Sequence, residues 1–313
     1  MKHLKLFIFI LTLAAAVVFT GCSQKSTTPE KSKETKKTDS KDIDSKQDSE
    51  GTTLDTEIHV VSREAGSGTR GALTEIVGIV EKDKDGNEVD RTYIEATIEN
   101  GTDSVLTTVQ NDVDAIGYIS LGSLNDTVKA LKVQGVEATA SNVKDGSYPI
   151  ARPFNLVFKK DQLGELEKDF MNYIMSKEGA AIIEKEGYIA VSNEKSYTPS
   201  GMEGAITIAG STSVTPVIEK LVDGYKALNP GFKADIQATG SSAGIQSATE
   251  GIAHIGMASR ELKEKEKEHV DHMVMAMDGI AVIIHLENPA EDVSLDQIRE
   301  MFVGELTNWA NVK

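Results

Sequence analysis

Three short clusters of glycine and hydroxyl residues carry the clearest chemistry in this sequence. They are Gly66-Ser67-Gly68-Thr69, Gly210-Ser211-Thr212-Ser213 and Gly240-Ser241-Ser242, and each lies between a strand-like and a helix-like segment. Free N–H groups at a helix start and the positive end of the helix dipole bind anions, and glycine lets the backbone approach the ligand closely. Ser and Thr are also good N-caps, which explains any one cluster. Three clusters together favour an anion-binding site.

Arg63 lies just ahead of the first cluster. Its planar guanidinium can bind two oxygens of one oxyanion, a geometry that lysine cannot reproduce. The alternative is a surface salt bridge with Glu64 or another acid. The sequence leaves both interpretations of Arg63 open.

Two enzyme motifs also match the clusters. Residues 66–71 fit GxGxxG, a dinucleotide-binding pattern, but the region about twenty residues on reads as a charged loop and not as the end of a second strand. Residues 240–244 fit GxSxG, in which Ser242 would be the nucleophile of an esterase. The histidines after Ser242 have no recognisable catalytic setting; they are His254, His269, His272 and His285.

A metal site is the third alternative, since His269 and His272 are spaced i, i+3 within EHVDH. A solvated, charged helix is the interpretation we favour for this segment. We therefore predict that the protein is not an enzyme and has neither a metal nor a cofactor.

The clusters follow β-branched segments and precede amphipathic ones. The predicted strand-helix pairs are 58–61 with 72–80, 205–209 with 217–228, and 234–238 with 245–249. Pro216 suits the first turn of the second helix, and Asn229-Pro230 ends it. This alternation predicts an α/β fold with largely parallel sheets.

Two apolar strands, at 153–158 and 279–285, have no helix of their own after them. They could be hinge strands that join two lobes, or central strands of a single sheet, and the pattern alone does not choose between these. Residues 161–186 read as helices with an exposed charged face.

The first 22 residues predict secretion and lipidation. A charged start and an apolar run from Leu6 to Phe19 are typical of a signal peptide, here 1–21, and the run is too short to span a bilayer comfortably. The end of this run, Phe19-Thr20-Gly21-Cys22, resembles a bacterial lipobox, so we expect Cys22 to carry the lipid (palmitate) anchor; an ordinary signal peptide is the alternative. Cys22 is the only cysteine, which excludes a disulfide framework.

Residues 23–56 contain no aromatic residue and almost nothing apolar. Such a segment cannot bury enough surface to fold, so 22–56 is predicted to be a lipidated, disordered tether that reaches on the order of 30 Å. The net charge of −16 argues against nucleic acid as a partner. An anion would therefore have to be bound by local donors against the overall field.

The clusters belong to longer motifs that resemble those of phosphate ABC transporter substrate-binding lipoproteins, the PstS-like family with a type II periplasmic-binding-protein fold. The motifs are VVSREAGSGTRGA (60–72), GSTSVTPVIEKL (210–221), ATGSSAGI (238–245), IGMASREL (255–262), DGIAVIIHLENP (278–289) and FVGELTNWANV (302–312). The resemblance covers nearly all of 57–313 and implies a two-lobed Venus-flytrap α/β fold.

The order of the halves differs from the family, which begins with the GSTS half and continues after the NW motif into SREAGSGTR. The chain therefore looks like a circular permutant. The resemblance implies one lobe formed by 57–151 plus 280–313, which carries SREAGSGTR, and a second lobe formed by 152–279. Adjacent chain ends make such a permutation tolerable.

The family's ligand contacts map onto eight residues of this sequence. They are Arg63, Ser67, Gly68 and Thr69 from one lobe, and Thr212, Ser213, Ser241 and Ser259 from the other. Several family members have an aspartate at the position of Ser259, which accepts the proton of hydrogen phosphate and rejects sulfate. Glu64 and Asp278 are hypothetical substitutes for that acceptor.

The resemblance implies a monomeric lipoprotein on the outer face of the cell membrane, of Gram-positive type. It would capture inorganic phosphate between its lobes and deliver it to the permease of an ABC importer. The alternatives are the same fold with sulfate, molybdate or another oxyanion, a sensor or scaffold lipoprotein without transport, and the serine esterase.

Overall fold

The computed structural model describes residues 54–312. The predicted signal peptide, Cys22 and all but the last residues of the predicted tether lie outside the described residues. Among residues 54–312, no helix has the length and apolar character needed to cross a bilayer.

Strands and helices alternate along the described part of the chain. The strands are β1 (His59–Arg63), β2 (Val80–Lys82), β3 (Glu88–Asp90), β4 (Thr97–Glu99), β5 (Ala115–Ser120), β6 (Lys129–Ala130), β7 (Lys132–Val133), β8 (Ala151–Phe158), β9 (Ile189–Ala190), β10 (Gly204–Gly210), β11 (Phe232–Ala238), β12 (Ile255–Ala258), β13 (Asp271–Ile284) and β14 (Asp292–Val293). The helices are α1 (Gly68–Ile76), α2 (Thr102–Gln110), α3 (Ala140–Lys144), α4 (Glu165–Ile174), α5 (Lys177–Lys185), α6 (Thr215–Leu228), α7 (Ser241–Glu250), α8 (Glu264–Lys267) and α9 (Leu295–Phe302).

One ten-stranded sheet runs through the molecule in the order β11-β10-β12-β8-β13-β5-β1-β4, with β6 and β9 paired to parts of β13. The outer strands are parallel: β10 pairs with β11 and β12, and β1 pairs with β4 and β5. The two central strands, β8 and β13, are antiparallel to their neighbours. The predicted parallel pairing is therefore right for both flanks and wrong for the centre.

Buried apolar side chains form four hydrophobic clusters, which we group by chain segment into two cores. Core 1 draws on residues between 58 and 150 and between 280 and 309, such as Ile116 and Trp309. Core 2 draws on residues between 154 and 276, such as Phe170 and Tyr225. This two-lobed, mixed α/β architecture is the fold class that the sequence predicts.

Strands β8 and β13 pass from one core to the other. They are also the centre of the sheet, which confirms the second alternative for the two strands without helices. Their role as hinge strands stays a prediction. β13 is 14 residues long and begins earlier than the predicted 279, with a shift of register between Val274 and Ala276. The polar residues Asp271 and His272 at its exposed start hid this part of the strand from the sequence pattern.

Three predicted helices differ from the structure. α1 and α7 begin at Gly68 and Ser241, inside the glycine clusters and several residues earlier than predicted. The segment EHVDH is not helical: α8 ends at Lys267, and His272 already lies in β13. The prediction of helices between 161 and 186 is confirmed by α4 and α5.

The two ends of the described chain lie side by side. Glu57 and Asn308 form an antiparallel bridge. The Ile58 N–H donates to the Thr307 carbonyl at 2.8 Å, and the Trp309 N–H donates to the Thr56 carbonyl at 3.0 Å.

Candidate anion-binding site

Arg63, at the end of β1, is the charged centre of the candidate site. Its side chain is 1% exposed. Nε donates to Glu64 Oε2 at 2.8 Å, and Nη2 donates both to Glu64 Oε1 and to Thr212 Oγ1 at 3.0 Å. Nη1 is buried and has no hydrogen-bond partner among residues 54–312. Glu64 thus binds one edge of the guanidinium and leaves a donor on the other edge free.

Two residues hold the backbone of Arg63 in place. The Arg63 N–H donates to the Tyr118 hydroxyl at 3.1 Å, and that hydroxyl also bonds Ser62 Oγ at 2.8 Å. Burial raises the pKa of Tyr118, so its phenol stays neutral. Arg70 Nη1 donates to the Arg63 carbonyl at 2.7 Å, while the same guanidinium pairs with Asp90. Sequence reasoning missed both positioning residues, although Arg70 lies within the SGTRG motif.

Hydroxyl groups from the first cluster and from the other loops meet next to Arg63. Thr69 Oγ1 and Ser213 Oγ are 2.8 Å apart, with either as the donor. Ser211 Oγ donates to Ser259 Oγ at 2.9 Å, and the Ser259 N–H donates to Ser241 Oγ at 3.1 Å. Ser211, Ser241 and Ser259 are all buried. Ser211 was not among the predicted site residues, although its cluster was.

The loop around Gly68 fits closely against these serines. A Cβ atom on Gly68 would lie 2.6 Å from Ser259 Oγ and closer still to Ser241 Oγ, so only glycine fits. The neighbouring Ser67 caps α1 by accepting the Arg70 N–H at 3.3 Å. The Ser242 N–H donates directly to the Gly66 carbonyl at 3.1 Å. The loop after β1 therefore contacts the loops of core 2 without an intermediary.

Three helices begin at this point. α1 begins within the first cluster, α6 just after the second and α7 within the third. The residue before α7, Gly240, has φ of 89°, which favours glycine. The positive ends of the three helix dipoles therefore lie near the hydroxyls. Because Glu64 neutralises Arg63, the site can attract an anion through N–H groups, hydroxyls and dipoles with no net charge.

The structure brings the eight predicted ligand residues together. Arg63 meets Thr212, Thr69 meets Ser213, and Gly68 meets Ser241 and Ser259, while Ser67 caps the helix between them. Their contacts with a ligand remain predictions. Of the two hypothetical acceptors, Glu64 lies at the site with both oxygens bound to Arg63.

Asp278, the other hypothetical acceptor, lies behind the site. Its Oδ2 accepts from Arg152 Nε at 3.1 Å and from Nη2 at 2.9 Å. Arg152 Nη1 in turn donates to the Ser259 carbonyl at 3.1 Å. Asp278 therefore reaches the hydroxyl cluster only through Arg152.

The residues around the two enzyme motifs differ from those that an esterase or a dinucleotide-binding site requires. Arg260 Nη2 lies 3.4 Å from Ser242 Oγ, and the same guanidinium binds both oxygens of Glu266. After the GxGxxG match and α1, the chain forms the antiparallel hairpin β2–β3 before it reaches β4, the three-residue parallel neighbour of β1.

One group among the described residues could supply metal ligands, and it does not include His269 or His272, the pair that the sequence offered as an alternative. It consists of His59, Asp112 and Asp114, with His59 Nδ1 at 2.7 Å from Asp112 Oδ2. His269 and His272 do not lie on one helix face, because the helix ends before them.

Comparisons with known proteins agree with this fold. A family model described as a PBP superfamily domain matches residues 13–178 and 195–313. The phosphate-binding protein PstS 2 of Streptococcus agalactiae is 48% identical over 270 residues, which cover 86% of this chain and 90% of the relative. The crystal structure of a phosphate-binding protein of a phosphate ABC transporter from Streptococcus pneumoniae is 45% identical. It covers 82% of this chain and 100% of its own, with a TM-score of 0.67.

A more distant relative aligns over a shorter stretch. The phosphate-binding protein PstS of Bacillus subtilis is 32% identical over 110 residues, or 34% of this chain and 36% of the relative. The fold and the matches define a substrate-binding protein of the periplasmic-binding-protein class. Within that class, the chain belongs to the PstS-like phosphate-binding protein family.

Proposed function

We propose that this chain binds inorganic phosphate between the loops of its two cores and passes it to the permease of an ABC importer. The observation that carries the proposal is Arg63 Nη1, a buried guanidinium donor with no partner among the described residues. Leaving such a group unpaired costs about 1–3 kcal/mol or more, which an anionic oxygen would offset. The names of the streptococcal relatives support phosphate as that anion.

Sulfate is the second candidate for this site. The groups around the unpaired donor are hydroxyls, which can donate to any tetrahedral oxyanion and can also accept the proton of hydrogen phosphate. Glu64 contributes a carboxylate, but Arg63 binds both of its oxygens. Preference for phosphate over sulfate would therefore depend on Ser259 and its hydroxyl neighbours.

Calorimetric titration with phosphate, and then with sulfate, at pH 6 and at pH 8 tests the proposal. We expect one phosphate per chain, bound tightly and not displaced by sulfate. A sample that is folded by circular dichroism and gives no heat with phosphate contradicts the function. Displacement by equimolar sulfate would instead favour the second candidate.

We further propose that 57–151 plus 280–313 and 152–279 are the two lobes of a circular permutant. The adjacent chain ends support this arrangement, as does the division of the two cores at the same positions. The streptococcal relative aligns along most of its length, whereas the Bacillus relative aligns over about a third. This difference in alignment length is expected if the streptococcal relative shares the permuted order and the Bacillus relative does not.

We also propose that Cys22 anchors a monomeric protein to the outer face of the cell membrane. The lipobox-like sequence and the signal-like start support the anchor. The expected effect of Cys22→Ser is release of the protein into the medium and loss of incorporated labelled palmitate. Membrane retention of that variant contradicts the anchor.

A further inference from the structure

Arg260 directly follows Ser259 and contacts two of the helix starts at the candidate site. The residue is buried, at 8% exposed. A Cβ atom on Gly71, near the start of α1, would lie 3.0 Å from Arg260 Cδ, so the arginine stem packs against that helix. Arg260 Nη2 lies 3.4 Å from the hydroxyl of Ser242, in the first turn of α7. One side chain therefore contacts both α1 and α7.

The two helices belong to different cores. α1 contributes Ala72 and Leu73 to core 1, whereas α7 contributes Ile245 and Ala248 to core 2. Both helices direct their N-terminal ends to the candidate anion site. A rigid side chain between them would fix how far apart those ends lie.

Hydrogen bonds hold the guanidinium of Arg260 in place. Nη1 and Nη2 each donate to one carboxylate oxygen of Glu266 at 2.8 Å, and Nη1 also donates to the Glu261 carbonyl at 2.9 Å. The backbone is fixed as well, because Asn155 Nδ2 donates to the Arg260 carbonyl at 2.8 Å. The bonds of both Nη atoms go to protein groups, so the arginine acts on the helices and is not a ligand of the anion.

Glu266 is suited to keep this arginine still. Burial raises the pKa of its carboxyl, but the hydrogen bonds from Arg260 and from the Lys263 N–H outweigh burial and hold the pKa below its ordinary value. The carboxylate is therefore ionised at neutral pH, and its two parallel bonds fix the orientation of the guanidinium. The stem of Arg260 cannot swing away from Gly71 without breaking these bonds.

A second ion pair links the same parts of the chain but is much more exposed. Lys263 Nζ lies 2.9 Å from Glu88 Oε2 in β3, and the two side chains are 63% and 58% exposed. Exposed pairs of this kind contribute little to stability. The side chains of Arg260 and Glu266 are 9% and 21% exposed, so their pair is the one that can hold the helices in place.

We propose that Arg260 is a positioning residue of the anion site, which sets the separation of the α1 and α7 starts through Gly71 and Ser242. Gly71 is its counterpart, because any side chain at that position would push the helix and the arginine apart. This inference rests on the proposed function, since phosphate is the anion that the helix starts would bind.

Gly71→Ala tests the inference. Alanine favours a helix over glycine, so Tm is expected to stay the same or to rise. The added methyl group overlaps the arginine stem, and we expect phosphate to bind about tenfold more weakly in calorimetry. A merely structural role would not weaken binding while Tm is kept. Equal dissociation constants for the parent and Gly71→Ala overturn the inference.

Arg260→Ala completes a double-mutant cycle. We expect this variant to bind phosphate about tenfold more weakly than the parent. Because the stem is gone, the methyl group of Gly71→Ala then has room, and adding that substitution should change the dissociation constant by less than about twofold. Losses that simply add in the double variant contradict the inference.

Lys263→Ala is the matched control, because it removes a cation from the same segment and breaks the exposed pair with Glu88. It should bind phosphate as the parent does. A loss equal to that of Arg260→Ala would mean that charge near the site matters and the position of Arg260 does not, which overturns the inference.

The parent is titrated with phosphate first, which separates the two claims. If the parent binds no phosphate, the proposed function fails, and this inference fails with it. If the parent binds and Gly71→Ala binds equally well, only this inference fails.

Discussion

Glu64 binds the Nε–Nη2 edge of Arg63, with Nε–Oε2 at 2.8 Å and Nη2–Oε1 at 3.0 Å. The sequence offered a salt bridge with Glu64 and an oxyanion fork as alternatives for Arg63. The structure has the salt bridge on one edge, and Nη1 on the other edge is buried without a partner among the described residues. Glu64 therefore orients the arginine and does not compete for Nη1.

Replacing Arg63 by lysine tests the use of that free donor. A single ammonium cannot serve Glu64, Thr212 and an anion in this geometry. We expect Arg63→Lys to weaken phosphate binding about 100-fold, which corresponds to ~3 kcal/mol. The control is Arg299→Lys, an arginine that pairs with Glu81 and Glu305 at the surface. Equal dissociation constants for the two variants, measured by calorimetry, contradict the assignment.

The close fit of Gly68 predicts that a methyl group there prevents the loops from meeting. A Cβ on Gly68 would overlap Ser241 Oγ and Ser259 Oγ, whereas on Gly66 its nearest neighbour is 3.9 Å away. We expect Gly68→Ala to abolish phosphate binding and to enlarge the radius of gyration in solution scattering. Gly66→Ala, the matched control, should bind normally. Normal binding by both variants would show that the loops do not close on the ligand in this way.

The ion pair between Arg152 and Asp278 is expected to be essential for stability. Arg152→Met leaves the Asp278 carboxylate buried and unpaired, which lowers the free energy of unfolding by about 3–5 kcal/mol. Arg91→Met is the control, because Arg91 is exposed and lies 3.8 Å from Glu81; it should change stability by about 0.5 kcal/mol or less. Urea unfolding measures both variants. Coincident unfolding curves would mean that Asp278 finds another partner.

A rejoined chain tests the permutation. The new protein would run from Pro199 to Lys313, through a short glycine-serine linker to Leu54, and on to Thr198. The linker spans ends that already lie side by side, and Thr198 and Pro199 are exposed. We expect it to fold and to bind phosphate within a few-fold of the parent. A control opened within β13, between Met277 and Asp278, should not fold.

The rejoined chain could be insoluble while the parent is stable. In that case the chain around the peptide bond between Thr198 and Pro199, which is opened in the rejoined chain, has a structural role that the permutation does not explain. The contact between Tyr197 and Asp169, at 2.6 Å, is the first place to look for that role. The rejoined chain ends at Thr198 and so keeps Tyr197. We therefore expect its contact with Asp169 to be kept and the rejoined chain to be soluble.

The sequence predicted that the three glycine and hydroxyl clusters lie between strands and helices, and the structure confirms that placement. Each cluster is contiguous, so it could be found from its own neighbours, while the binding of a ligand by Arg63, Thr212 and Ser241 stays a prediction. Where α1 and α7 begin was harder to predict, because glycine and serine are weak helix formers and the first turn of α7 contacts a loop distant in sequence. Ser242, whose N–H donates to Gly66, is such a contact.

The parts that could not be predicted depend on residues far apart in the chain. Tyr118 supports the backbone of Arg63 from 55 positions away, and nothing in its own segment indicates that role. Arg152 and Asp278 are 126 positions apart and pair only because β8 and β13 are neighbours. Register between distant strands is a tertiary property, which local patterns do not encode.

The most direct test of the central claim is a crystal structure of the protein grown with phosphate. We expect one phosphate between the two cores, with an oxygen within about 3.2 Å of Arg63 Nη1 and others at the hydroxyls of Thr212 and Ser241. A phosphate bound elsewhere, or a site in which Arg63 Nη1 contacts only protein groups, would contradict it.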